Sequence, residues 1–135
     1  MKYDSIIFDM DGTIWNTEKE VCLAWNKVLA DAGHPKRVTC DELAGYMGLP
    51  MTEIAKRMFG TDNYDSVAEL FGRCMQYENE YIAKHGAVLY PDLINTLKQM
   101  YTKIPLFIVS NCQSGYIVCT IRICLNSDIF DKITN

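Results

Sequence analysis

Residues 5–9 read Ser-Ile-Ile-Phe-Asp, a short apolar run that ends in an acid. Such a run predicts a buried strand that delivers Asp9 to its C-terminal end. Gly12 and Thr13 break the run, and the period then becomes helical. Thr17-Glu18-Lys19-Glu20 has the form of a capping box, and Val21, Trp25, Val28, Leu29 and Ala32 follow at helical spacing. Gly33 is placed to end that helix in the left-handed conformation. A second capping box, Thr39 to Glu42, opens a short helix that Gly48 stops. A third helix is expected over 51–59, ending at Gly60, and a long one over 64–84, with Val67, Leu70, Phe71, Cys74, Tyr77, Tyr81 and Ile82 on or near one face.

Positions 17–85 therefore predict helices joined by short loops, a bundle and not an alternating strand–helix pattern. The alternation returns afterwards. Pro91 precedes a helix carrying Leu93, Leu97 and Met100, and residues 104–109 form a continuous apolar run of the kind found in buried parallel strands, with Pro105 tolerable at its start. Ser110 and Asn111 follow at its C-terminal end. Ser114 can cap a helix through about residue 125, and residues 131–134 begin a further strand. The predicted order is strand, helical insertion, helix, strand, helix, strand, with no internal repeat or Gly/Ser linker.

Length and composition narrow the class. The 135 residues suit one ordinary globular domain, and 49% hydrophobic with 22% charged residues excludes a disordered chain. Thirteen basic against seventeen acidic residues leave a net charge of −4, which lacks the basic footprint of a nucleic-acid binder. The apolar runs are far shorter than the roughly 20 residues a bilayer span needs. No export signal precedes Asp4, so the expectation is a cytoplasmic protein that neither enters a membrane nor binds nucleic acid. The six cysteines, Cys22, Cys40, Cys74, Cys112, Cys119 and Cys124, form no C-x-x-C pair and share no ligand spacing with His34 or His85, so they are read as reduced thiols.

The chemistry is concentrated in Asp9-Met10-Asp11-Gly12-Thr13. Two acids one residue apart, at the end of an apolar strand and before a glycine turn, place both carboxylates at the sheet edge where open α/β folds bind ligands. Paired carboxylates suit a hard divalent cation, and they also suit a nucleophile working beside a general acid/base. From average residue usage, a chance Asp-x-Asp-Gly-Thr in a chain this long has odds on the order of one in a thousand, which outweighs a merely solvated turn. Ser110-Asn111, after the second strand, read equally well as a helix N-cap or as hydrogen-bond donors to a ligand. Trp15, Asn16, Glu18 and Trp25 are weaker candidates for lining a substrate chamber. Of these, Trp25 is read as core and Glu18 as a first-turn acid.

Phe8 to Ile14, followed by a helical insertion, resembles the first motif of the haloacid dehalogenase-like (HAD) hydrolase superfamily, in particular its phosphoglycolate phosphatase and β-phosphoglucomutase-like branch. Gly48-Leu49-Pro50 resembles the cap loop that faces the active site, Leu89-Tyr90-Pro91 the return to the core, and Ile108 to Asn111 the second motif. The resemblance implies an α/β fold, a partial Rossmann-like parallel sheet core (1–15 and 88–135) with an inserted all-helical cap domain (16–87). It implies a phosphatase acting on a small phosphorylated metabolite. Asp9 would be the nucleophile, Asp11 the general acid/base, and Thr13, Ser110 and Asn111 the phosphate-binding groups. Mg²⁺ would be held by the Asp9 carboxylate and the Asp11 backbone carbonyl, and Gly48, Leu49 and Pro50 would be the cap's substrate contacts. An Asp at position 11 favours phosphate esters over carbon–halogen bonds.

The pattern also calls for a Lys after the third strand and acids after a fourth. Past Asn111 the sole Lys is Lys132, and Asp128 and Asp131 come too early to serve. The expectation is a C-terminally truncated family member whose first strand has an open edge prone to self-association. A catalytically inactive member that binds phosphate or a partner at most, and a phosphomutase, stay open as alternatives.

Overall fold

The computed structural model describes residues 3–112 and 132–134. The chain divides into two compact units, one made of Met1–Thr17 with Gly86–Asn135 and one of Glu18–His85.

In the first unit, β1 (Ile6–Phe8), β4 (Leu106–Val109) and β5 (Lys132–Thr134) form a parallel sheet in the order β1-β4-β5. Ile6 pairs with Leu106 and Phe8 with Ile108, while Val109 pairs with Thr134. Leu106 and Ile108 are buried, as are Met10, Ile14 and Leu97, the last from α5 (Leu93–Tyr101). Full burial of such a side chain is worth about 1.5–3 kcal/mol, so the alternate positions of β4 anchor this unit. The predicted helix at 114–125 lies outside the described residues.

A second, two-stranded sheet has no counterpart in the sequence pattern. β2 (Trp15–Asn16) runs antiparallel to β3 (Val88–Leu89), with Trp15 opposite Leu89 and Asn16 opposite Val88. The chain leaves for the insertion and returns from it along this ribbon. Two residues per strand are too few for a period to show in the sequence.

The second unit holds α1 (Glu18–Asp31), α2 (Cys40–Ala44), α3 (Met51–Phe59), a 3₁₀ turn at Tyr64–Ser66 and α4 (Ala68–His85). α1 buries Val21, Ala24, Trp25, Val28 and Leu29 at the spacing of one helix face and packs on α4, which buries Phe71, Cys74, Glu78 and Ile82. The Trp25 and Phe71 rings meet edge to face, 5.4 Å between centroids. The Thr39 capping box forms in both directions, and Gly60 ends α3 at φ 65°. Two expectations are corrected. α2 stops at Ala44, with Gly45 still right-handed, and turns lead from there to Gly48. The single helix expected over 64–84 is broken at Val67, whose φ of −123° leaves the helical range, so a 3₁₀ turn precedes α4. Among the described residues no helix is long and apolar enough to cross a membrane.

Candidate active site

β1 ends at Phe8, and the next four residues make a tight turn. The Met10 carbonyl accepts from the amides of Thr13 (3.2 Å) and Ile14 (2.9 Å), and the Gly12 amide donates to the Trp15 carbonyl at 2.9 Å. Gly12 sits at φ 78°, where a side chain would be strained. Met10 and Ile14 are buried beneath the turn, while Asp9 and Thr13 are exposed on it. The two buried apolar side chains fix the turn, and the alternating polar residues are left at its surface. Tyr90, just past β3, donates its hydroxyl to the Gly12 carbonyl at 3.3 Å.

The parallel register brings a distant segment to this turn. Because Phe8 pairs with Ile108, Asp9 stands beside Val109, with Ser110 one residue further along the neighbouring strand. Adjacent strands are about 4.8 Å apart, so residues separated by about a hundred positions share one sheet edge. Ser110 is 8% exposed and Asn111 is exposed. The structure thus gathers Asp9, Asp11, Thr13, Ser110 and Asn111 at the C-terminal ends of β1 and β4. Gly48, Leu49 and Pro50 lie in the helical unit, between α2 and α3.

Sequence reasoning did not foresee the groups that hold Asp11. Its Oδ1 accepts from the Trp15 indole nitrogen at 2.8 Å and from the Thr17 hydroxyl at 3.2 Å. Trp15 and Thr17 are themselves buried. The spacing reads Thr17 as a capping residue and Trp15 as one candidate for chamber lining, and nothing in it announces a shared acceptor. Trp25 is core, and its indole donates to Glu78 Oε2 at 2.6 Å.

Among the described residues no group of three Asp, Glu, His or Cys side chains could hold a metal ion. The Asp9–Asp11 turn supplies two hard oxygen donors. That set fits a cation such as Mg²⁺, which keeps several waters and needs only one or two carboxylates beside a substrate phosphate.

Fold and site together define an α/β protein of the open parallel type, with paired acids after the first strand, Ser110 and Asn111 after its parallel neighbour, and a helical insertion following the acids. The haloacid dehalogenase-like hydrolase family model matches residues 6–135, and the chain belongs to that family. It is similar in structure to a Bacteroides fragilis protein named as a haloacid dehalogenase-like hydrolase, at TM-score 0.83 and 22% identity, covering 98% of this chain and 62% of that one. It also resembles CbbY from Rhodobacter sphaeroides, solved in complex with xylulose-(1,5)bisphosphate, at TM-score 0.78 and 20% identity over 96% of this chain and 62% of the other. YfnB from Bacillus subtilis, solved bound to magnesium, matches at TM-score 0.66 and 19% identity over 98% and 65%. The chain therefore spans a little over three-fifths of the length of these solved relatives. No curated protein matches it.

Proposed function

We propose that this chain carries the nucleophile and acid/base of a Mg²⁺-dependent, cytoplasmic phosphatase acting on a small phosphorylated metabolite. The observation that supports it best is the placement of Asp9 and Ser110 at the carboxyl ends of the paired strands β1 and β4. In this reading an Asp9 carboxylate oxygen attacks phosphorus, and the bond to the leaving alcohol breaks to leave an aspartyl-phosphate. Asp11 gives its proton to the departing alkoxide, then takes one from the water that cleaves the acyl phosphate. Thr13, Ser110 and Asn111 donate hydrogen bonds to the phosphoryl oxygens. Asp9 and Asp11 would hold the Mg²⁺, which offsets the repulsion between carboxylate and phosphate when bound. Trp15 and Thr17 act as positioning residues through Asp11, and Gly48, Leu49 and Pro50 are proposed as substrate contacts from the cap. The class of substrate is supported by the sugar bisphosphate named with CbbY.

A second reading, an inactive member that binds phosphate at most, is favoured by the lack of a third metal-ligating side chain near the two acids among the described residues. Turnover of p-nitrophenyl phosphate, with and without Mg²⁺, separates the two. The phosphatase reading expects Mg²⁺-dependent hydrolysis that falls by roughly a thousandfold or more in Asp9→Asn, as for loss of a nucleophile. Hydrolysis that survives the substitution rules out the aspartyl-phosphate. Absence of hydrolysis in both proteins selects the inactive reading, and isomerisation of a sugar phosphate without phosphate release selects a mutase.

Self-association through the first strand is proposed alongside. Among the described strands β1 stands at one end of the order, and Ile7, at its middle, is 65% exposed. An apolar strand at a sheet margin favours pairing with a second copy of the chain.

A further inference from the structure

The chemistry proposed for the two acids leaves one contact of their turn without a role, the one made by Tyr90. The Thr13 amide donates to the Met10 carbonyl, so residues 10–13 form a β-turn with Asp11 and Gly12 at its centre, and the φ of 78° at Gly12 suits the second central position. The backbone bonds of this turn, from Thr13 and Ile14 to Met10 and from Gly12 to Trp15, are all local. Buried Met10 and Ile14 anchor its underside. Tyr90 holds its exposed side, from 78 residues away: the hydroxyl donates to the Gly12 carbonyl at 3.3 Å, and the Tyr90 amide donates to the Ile14 carbonyl at 3.5 Å. The backbone fixes where Tyr90 stands. The antiparallel register that sets Trp15 opposite Leu89 sets Tyr90 opposite Ile14. Pro91, next in the chain, confines Tyr90 to extended backbone, and the Leu93 amide returns to the Tyr90 carbonyl at 3.3 Å.

We propose that Tyr90 is a positioning residue for the acids of this turn, acting through the Gly12 carbonyl. Its consequence for catalysis rests on the phosphatase reading of Asp9 and Asp11. The Gly12–Thr13 peptide is held at both ends, its N–H by the Met10 carbonyl and its C=O by the Tyr90 hydroxyl. Gly12 is the point at which the turn can hinge, because a glycine has the widest choice of backbone conformation. A bond placed on its carbonyl therefore restrains Asp11 before it and Thr13 after it. The nucleophile and the acid/base are then held in one geometry before substrate arrives, which lowers the barrier without adding to binding. Tyr90 acts without touching the phosphoryl group, so its effect falls on kcat. The size of the effect follows from the bond itself, since a neutral hydrogen bond shifts a local equilibrium by about two- to tenfold.

Tyr90→Phe keeps the ring and deletes the hydroxyl, and Tyr101→Phe, at an exposed tyrosine of α5, is the control. Hydrogen–deuterium exchange on the full chain, read by mass spectrometry without substrate, compares the peptide over residues 9–17 with peptides from residues 18–85. Hydrolysis of p-nitrophenyl phosphate with Mg²⁺ is measured on the same proteins. In Tyr90→Phe the amides over 9–17 should exchange about two- to tenfold faster while those over 18–85 keep their rates. Its kcat should fall by a similar factor, with KM held within about twofold. Tyr101→Phe should change neither. Unchanged exchange over 9–17 overturns the proposal, as does faster exchange spread over the whole chain. So does an unchanged kcat, and if KM alone rises Tyr90 is a substrate contact instead. A wild-type chain that hydrolyses nothing overturns the phosphatase reading alone, and the exchange comparison still decides whether Tyr90 holds the turn.

Discussion

Asp11 directs one carboxylate oxygen to two donors from its own side of the turn, the Trp15 indole at 2.8 Å and the Thr17 hydroxyl at 3.2 Å. Removing one partner of a hydrogen bond costs about 1–3 kcal/mol when the other is left without a substitute. Trp15→Phe keeps the buried ring and deletes the N–H, so it should lower unfolding stability by about that range in urea titrations. If Asp11 is the acid/base, the same variant should lower kcat more than it raises KM, because a loosened carboxylate affects proton transfer and not binding. Trp25 makes a comparable bond to the buried Glu78, but within the helical unit. The two tryptophans thus have the same donor chemistry and different consequences, one orienting a candidate catalytic acid and one satisfying a core carboxylate.

α2 illustrates how few residues suffice to make an element when its ends are satisfied. Its five residues cannot hold a helix by propensity alone. Thr39 accepts from the Glu42 amide at 3.1 Å, the Glu42 side chain returns to the Thr39 amide at 2.9 Å, and Lys36 pairs with the same carboxylate. Thr39→Ala should cost about 1 kcal/mol, read as a lower Tm or urea midpoint. The Lys36 ammonium and the Thr39 backbone amide hold the Glu42 carboxyl below its usual range. A carboxyl depressed in the folded state adds stability above its unfolded pKa and loses it as pH falls through the folded one. Glu42→Gln should therefore flatten the decline of stability between neutral pH and the acid side of the carboxylate range, measured by thermal melts across that window. α3 shows the complementary device at its C-terminus, where Gly60 adopts φ 65° and its amide donates back to the Arg57 carbonyl at 3.3 Å.

For the whole molecule, the sheet margin sets the expected behaviour in solution. A chain whose β1 offers Ile7 at 65% exposure should associate as its concentration rises. Sedimentation velocity over a concentration series measures this, and Ile7→Lys, which places a charge on that strand, should shift the distribution toward monomer. A wild-type chain that stays monomeric throughout removes the proposal. Family membership rests on a match over residues 6–135, while the solved relatives are about 1.6 times as long by their shared coverage. Catalytic output is accordingly a question for assay, beginning with Asp9→Asn.

The sequence by itself determined the features that act over a few neighbouring residues. The apolar runs leading to Asp9 and Ser110, the helical period of Val21 to Leu29, the Thr39 capping box and the left-handed Gly33 are all legible there, because sterics, capping and side-chain period operate locally. The Asp9–Asp11 turn was legible for the same reason. Its neighbourhood was not. Only tertiary structure decided that Ser110 stands along the strand beside Asp9, that β2 and β3 zip the two ends of the insertion together, and that the Trp25 indole meets Glu78. Each of these contacts closes a loop of tens of residues, and its free energy comes from burial and pairing summed over the unit, which no local pattern records. Trp15 and Thr17 mark the boundary between the two regimes. Both lie within six residues of Asp11, yet which acceptor they choose depends on a turn held by buried Met10 and Ile14.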